Sequence, residues 1–245
     1  MKIKSLVLAS TCLALAASVQ AQSTYNGNGA TGFGGPVGNG NLQISDSISG
    51  LNITFNPGAP LNDDLVLYLD TQPGGFADTS LFGDTADGGR TAISGFNSGN
   101  PSRTLATFAP GFFADYAISV ENGFMGVFGL APGGNGSLTY LFGAGQSGNP
   151  AGPFSISITP PEMSQIGLTA GSGQTFEFVG SLISTSAYRA NETIGPSVTG
   201  GSPNAGFGGP QQFLGSDSYT LVPEPGTMTL IGTGLAGLLS LRRRK

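Results

Sequence analysis

The chain has no histidine and no tryptophan, and its single cysteine, Cys12, lies in an apolar N-terminal run. Of nine lysines and arginines, six sit at the two ends: Lys2, Lys4, Arg242, Arg243, Arg244 and Lys245. Between residues 22 and 221 only Arg90, Arg103 and Arg189 remain, with no lysine at all. These absences exclude chemistry. Without Cys12 the chain has no thiolate nucleophile and no disulfide, and it has no imidazole base and no thiolate or imidazole zinc site. Schiff-base chemistry lacks its lysine. The central region must hold its fold by packing, or with a bound metal, because the disulfides common in exported proteins are not available.

What remains is acid, glycine and aromatic rings. Residues 22–221 hold 13 of the 14 carboxylates, a formal charge of −10 that the whole-chain value of −5 conceals. Such a surface repels phosphate backbones, so nucleic acid is not an expected partner. It suits an extracellular protein or one that binds cations. The same region holds 38 of the 42 glycines and 14 of the 16 prolines, a level at which low complexity is a concern. It also holds all 16 phenylalanines and six tyrosines, which supply an apolar payload that disordered chains lack.

The N-terminus reads as an export signal. Lys2 and Lys4 precede an apolar run from Ser5 to Ala17, too short to span a bilayer comfortably. Val19-Gln20-Ala21 offers the small residues signal peptidase inspects, so cleavage is expected after Ala21. The organisation that follows is a signal peptide at 1–21, a Gly-rich lead-in at 22–40, a β-sandwich domain at 41–221 and a C-terminal segment at 222–245.

The domain reads as strands. Leu42, Ile44 and Ile48 alternate with polar residues, as do Leu51, Ile53 and Phe55, the pattern of half-buried strands. Leu65-Val66-Leu67-Tyr68-Leu69 does not alternate and is expected to be a central strand covered on both faces. A long loop follows at about 71–91, then a short strand at 92–96. Glu121-Asn122-Gly123 between two apolar runs predicts a hairpin. Thr159-Pro160-Pro161-Glu162 predicts the start of a short helix ending near Gly167. Gly32-Phe33-Gly34-Gly35-Pro36 recurs as Gly206-Phe207-Gly208-Gly209-Pro210, which suits a sandwich whose termini meet at one end. The expected fold is all-β: a jelly-roll-like β-sandwich with one short helix, flanked by an N-terminal signal helix and a C-terminal transmembrane-type helix.

The C-terminal segment has three parts. Val222-Pro223-Glu224-Pro225 is a proline-bracketed acidic turn, Met228 to Leu241 is an apolar run broken by Gly, Thr and Ser, and Arg242, Arg243, Arg244 and Lys245 form a cationic stop. In all three parts it resembles the PEP-CTERM sorting signal of exported proteins of Gram-negative bacteria. The resemblance implies recognition by an exosortase, processing near Pro223-Glu224-Pro225, and transfer to the cell surface or extracellular matrix. The physical logic agrees. The cationic cluster holds the tail on the cytoplasmic side. Fourteen helical residues rise about 21 Å, short of the ~30 Å hydrocarbon core, which suits transient inner-membrane anchoring. The order LVLYLD, Gly/Asp loop, ADYAISV, hairpin, FSISITPPEMSQIGL and TFEFVGSL looks like the DOMON and family 9 carbohydrate-binding-module β-sandwiches, although the tryptophans with which such modules grip sugars are missing.

Candidate site residues are few. Asp78, Asp84 and Asp87 in the long loop could supply oxygen ligands to calcium, though without EF-hand spacing. Tyr68, Tyr116, Tyr140 and Tyr188 could stack on a sugar or pack within the sheets. Glu162 and Glu177 are the sort of carboxylates that glycoside hydrolysis uses, but nothing in the sequence pairs them. The reading is a non-enzymatic protein exported across the inner membrane, held there as an anchored precursor and then sorted to the surface or matrix in a structural or adhesive role. The alternative is a carbohydrate-binding module, dependent or not on calcium, with extracellular polysaccharide as partner.

Overall fold

The computed structural model describes residues 21–97, 104–201 and 210–223. The expected signal helix, the C-terminal apolar helix and the stop charges at 242–245 lie outside the described residues. Among the described residues no helix is long and apolar enough to cross a membrane. In chain order the elements are β1 (Ala21–Asn26), β2 (Asn41–Ser47), β3 (Gly50–Asn56), β4 (Asp64–Asp70), α1 (Gly88–Ser94), β5 (Ala106–Thr107), β6 (Tyr116–Glu121), β7 (Phe124–Gly129), β8 (Thr139–Gly145), β9 (Phe154–Ile158), α2 (Pro160–Gln165), β10 (Thr175–Ile183), β11 (Arg189–Ile194), β12 (Val198–Gly200), β13 (Gln211–Phe213) and β14 (Asp217–Thr220).

Two antiparallel sheets face each other. One has the order β1-β2-β3-β9, the other β11-β10-β4-β6-β7-β8 with β14 also on β10. A small third sheet runs β12-β13-β5. Alternation in β2 and β3 sends Leu42, Ile44, Ile53 and Phe55 inward, where they share one buried cluster with Leu67, Ile118 and Phe178 of the larger sheet. The order is built on meanders, β1-β2-β3 and β6-β7-β8, not on the paired Greek keys of the expected jelly roll. The Asn122-Gly123 turn joins β6 to β7 as expected, with Gly123 at a φ of 105° that a side chain would resist.

The strand β4 is buried on both faces, as its unbroken apolar run requires. Leu65, Leu67 and Leu69 meet the smaller sheet. Val66 and Tyr68 point the other way, into a second cluster with Ile93, Phe108, Phe112 and Phe213. That second core contains a wholly buried cation. Arg189 donates to the Thr104 carbonyl at 3.0 Å, to Ser181 Oγ at 3.3 Å and to Tyr68 Oη at 2.6 Å. Burial raises the Tyr68 phenol above its ordinary pKa against the opposing pull of Arg189.

Three local expectations change. The segment expected as loop and short strand contains the helix α1, which Asp87 caps by accepting from Arg90 N at 2.8 Å and which Gly95 ends in the left-handed conformation. The described residues therefore contain two short helices; α2 starts at Thr159-Pro160-Pro161 as expected and carries a Thr159/Glu162 capping box besides. The Gly-rich stretch from residue 22 is part of the sandwich: β1 pairs with β2 throughout its length.

The turn after β1 is organised by one side chain. Glu192 of β11 is fully buried, and its carboxylate accepts backbone N–H groups from Phe33 (2.7 Å), Gly35 (3.0 Å), Val37 (3.1 Å) and Gly38 (3.1 Å). Four donors converge only because the backbone folds closely on itself: a Cβ on Gly38 would overlap the Ala30 carbonyl, and one on Gly27 the Val37 carbonyl. Charge-assisted bonds of this kind are worth more than neutral ones. Glu192→Ala should lower the unfolding free energy by at least about 3 kcal/mol, since it strands four donors. Urea unfolding followed by circular dichroism would measure this, and a midpoint within error of the parent would refute the assigned role.

Candidate functional site

The outer face of the larger sheet, turned away from the smaller one, builds the site in three rows. Along the β4–β6–β7–β8 register the middle row is Val66, Ser119, Gly126 and Gly143. One row is Tyr68, Ala117, Phe128 and Tyr140. Continuing the register by one step places Asp64 beside Glu121, which is paired with Phe124 and, beyond it, Gly145.

Two devices set the aromatic residues. The first is a bulge between Val127 and Phe128, where β7 pairs Val127 with Phe142 but Phe128 with Tyr140. Skipping Leu141 puts Tyr140 on the outer face, while Phe142 stays in the inter-sheet core. The second is the glycine floor. A Cβ on Gly126 would lie 2.6 Å from Phe124 Cε1, and one on Gly143 would lie 2.8 Å from Phe124 Cζ. The Phe124 ring thus lies across bare backbone. Phe124 is 36% exposed and Tyr140 45%, with ring centroids 6.2 Å apart and planes tilted by 35°. Phe128 is buried beneath them, edge-on to Tyr140 at 5.6 Å.

Helix α1 supplies the polar wall. Arg90 places its guanidinium 5.1 Å from the Phe128 ring centre, donates from Nε to the Leu138 carbonyl at 3.0 Å and pairs through Nη1 with Asp87. Glu121 lies under the first turn of α1: a Cβ on Gly89 would stand 2.9 Å from its Oε1. Burial raises the Glu121 pKa, Asp87 adds to the rise, and the Ser119 hydroxyl opposes it. Phe124, Phe128, Tyr140, Glu121, Asp87 and Arg90, with Gly88, line a cleft of about 470 Å³. A second cleft of about 420 Å³ opens at the other end of β4, around Asp70, Phe113 and Glu177. Its carboxylates are already engaged, Asp70 by Phe113 N at 2.8 Å and Glu177 by the Ser216 hydroxyl.

The loop acids are placed apart in role. Asp78 accepts from Ser80 N at 2.8 Å in a local turn. Asp84 is buried and accepts from Ala86 N, Gly136 N and Leu138 N at 2.9–3.0 Å, with Arg90 at 3.5 Å. Asp87 caps α1. Among the described residues no three His, Cys, Asp or Glu groups come together to hold a metal ion. Of the tyrosines considered for stacking, Tyr140 reaches the cleft; Tyr68 is in the core and Tyr116 hydrogen-bonds Gln72. Glu162 belongs to the α2 cap and Glu177 to the second cleft, so the two do not pair. Sequence reasoning missed Phe124, Glu121 and Arg90. The Asn-Gly hairpin was the available signal, because a two-residue turn there sets Glu121 opposite Phe124.

At the end of the described chain, Leu221 is buried and donates to the Gln174 carbonyl at 2.9 Å. Val222 N donates to Asp46 Oδ2 at 2.9 Å. Pro223 is exposed; Glu224 and Pro225 lie outside the described residues. Ala21, the expected cleavage residue, is the first of β1, faces Asp46 across the strand pair and accepts from the Tyr219 hydroxyl at 3.2 Å.

Asp64 gives this region a pH dependence. Burial, with Glu121 and Asp63 adding, pushes its carboxyl from the ordinary 3.8 up to about 8. Between those values the folded chain holds a proton that the unfolded chain releases. The contribution is therefore fully present below about pH 4 and is lost as pH rises toward 8, by at most about 1.4 kcal/mol per pH unit. Asp64→Asn should be more stable than the parent at pH 8 and show a flatter profile between pH 4 and 8. Urea midpoints across that range decide it; parallel curves for the two proteins would contradict the assignment.

Comparison with known proteins bears on the tail. A protein-family model, the PEP-CTERM protein-sorting motif, matches residues 221–245. No curated protein and no solved structure matches the chain. Motifs of this kind are recognised by exosortase and direct exported proteins toward the cell surface. Residues 221–245 of this chain are a PEP-CTERM protein-sorting motif, and they follow the last strand of the folded region without a linker.

Proposed function

We propose that the chain is a non-catalytic protein of the cell surface or extracellular matrix, with a structural or adhesive role. It is held during sorting as a membrane-anchored precursor and cut by the exosortase near Pro223-Glu224-Pro225. The observation that carries this reading is the sorting motif at 221–245 set directly on the body, with Leu221 already inside the core. The short apolar run at 228–241 and the Arg242–Lys245 cluster support transient anchoring. Composition supports the absence of catalysis. The region 22–221 offers only carboxylates and hydroxyls as reactive side chains, and several of those carboxylates, Glu192, Asp46 and Asp84 among them, are occupied by N–H or hydroxyl donors.

The tail can be tested directly. Replacing Pro223, Glu224 and Pro225 together by Ala should leave the precursor unprocessed, and intact-mass analysis of the exported protein should then show the tail retained. Tail removal equal to that of the parent would sink the sorting assignment of these three residues. Replacing Arg242, Arg243, Arg244 and Lys245 by Ser should instead reduce retention of the precursor at the inner membrane.

A further inference from the structure

We propose that the cleft between Phe124, Tyr140, Glu121 and Arg90 binds the pyranose rings of an uncharged polysaccharide. This rests on the adhesive reading above and gives it a site and a ligand class.

The first argument is the platform. Two adjacent aromatic rings, 36% and 45% exposed and with planes 35° apart, form an exposed apolar patch, and few other large apolar side chains are exposed among the described residues. Exposed apolar surface of this kind marks a binding region. Here the exposure is built in. The bulge brings Tyr140 outward in place of Leu141, and Gly126 and Gly143 leave the room in which Phe124 lies flat. A sugar ring presents an apolar C–H face to such rings and a polar edge all round.

The second argument is the rim. A hydroxyl both donates and accepts, and the cleft offers both partners: the Glu121 carboxyl accepts, and the Arg90 guanidinium donates. Among the described residues no hydrogen bond occupies Arg90 Nη2. A wholly apolar ligand would leave these groups buried and unmatched, at a cost.

The third argument is charge, which opposes anions and leaves little room for a cation beside Arg90. Asp87 and the buried Asp84 more than offset Arg90, and among the described residues Glu121 has no ion pair, in a region of formal charge −10. Uronate and other anionic polymers are repelled. An ammonium seated on the rings would meet Arg90, which already occupies the Phe128 face at 5.1 Å. A neutral chain avoids both penalties. The volume of about 470 Å³ falls within the range of small-molecule sites.

The test is affinity electrophoresis of the exported protein in gels containing a neutral glucan, a galactan or a mannan, against polygalacturonate and polyglucosamine. At least one neutral polymer should retard the protein, and the charged polymers should retard it less. Phe124→Ala and Tyr140→Ala should each weaken retardation at least about tenfold, whereas Tyr140→Phe, which keeps the ring, should not. Phe113→Ala alters an exposed ring in the other cleft and should bind as the parent does. The proposal is overturned if no neutral polymer retards the protein, if a charged polymer is preferred, or if both alanine variants bind like the parent. Surface labelling of intact cells carrying the same variants reads delivery separately. Failure to reach the surface speaks against the sorted-protein reading, and failure to bind there speaks against the cleft.

Discussion

The buried carboxylate of Glu192 ties the turn after β1 to the far end of the larger sheet. It links β11 to N–H groups at residues 33–38, more than 150 positions earlier in sequence. Without it, a turn containing Gly34, Gly35 and Gly38 has four donors and no acceptor. Two other acids repeat the arrangement. Asp46 on β2 accepts from the Tyr219 hydroxyl at 2.7 Å and from Val222 N at 2.9 Å, joining the second strand to the end of the last sheet segment. Asp84 joins the long loop to residues 136 and 138. Each is a long-range staple made of one carboxylate: Glu192 and Asp84 gather several backbone donors, and Asp46 takes one backbone donor and one phenol. In a region with no cysteine these staples sit where a small exported protein would otherwise place disulfides.

This changes the meaning of the acidic composition. From sequence alone the excess of carboxylates suggested solvation or cation binding. In the fold, part of that excess is interior and occupied by N–H groups. Glycine and acid belong together here. Glycine lets backbone approach backbone so that several N–H groups converge, and a carboxylate is the acceptor with enough lone pairs to receive them. The one fully buried cation among the described residues, Arg189, is handled differently, spread over a carbonyl, a hydroxyl and a phenol in the second core.

What the sequence revealed and what it hid divide by range. The unbroken LVLYL run, the Asn-Gly hairpin and the helix start at Thr159-Pro160-Pro161 each depend on neighbours within a few residues, and each was legible. Helix α1 was hidden because Gly88 and Gly89 open it, residues that disfavour helix; only Asp87 signalled it, and that residue also looked like a calcium ligand. The bulge at Val127/Phe128 was hidden because alternation along β8 gives Leu141 and Tyr140 equal claim to the outer face. Tyr140 was therefore a candidate among four tyrosines, while Phe124 passed as core. Meander order against jelly-roll order depends on which strands pair, and periodicity within a strand carries no such information.

The sorting motif and the fold meet on Asp46. Ala21 faces it across the β1–β2 pair, Tyr219 reaches both Ala21 and Asp46, and Val222 N is bound to its other oxygen. The first and last few described residues thus meet around one buried carboxylate. The positions of the proposed cuts then bear on what would remain. Removal of the N-terminal segment after Ala21 takes away one acceptor of the Tyr219 hydroxyl but leaves its bond to Asp46. A cut beyond Pro223 leaves Val222 N in place, with Leu221 still bonded to Gln174 and buried. A cut between Leu221 and Val222 would release Val222 and leave Asp46 without its backbone donor. The last strand, β14, ends at Thr220, so the proposed processing at Pro223-Glu224-Pro225 would leave it whole. Pro223, which has no N–H to donate, cannot extend its ladder.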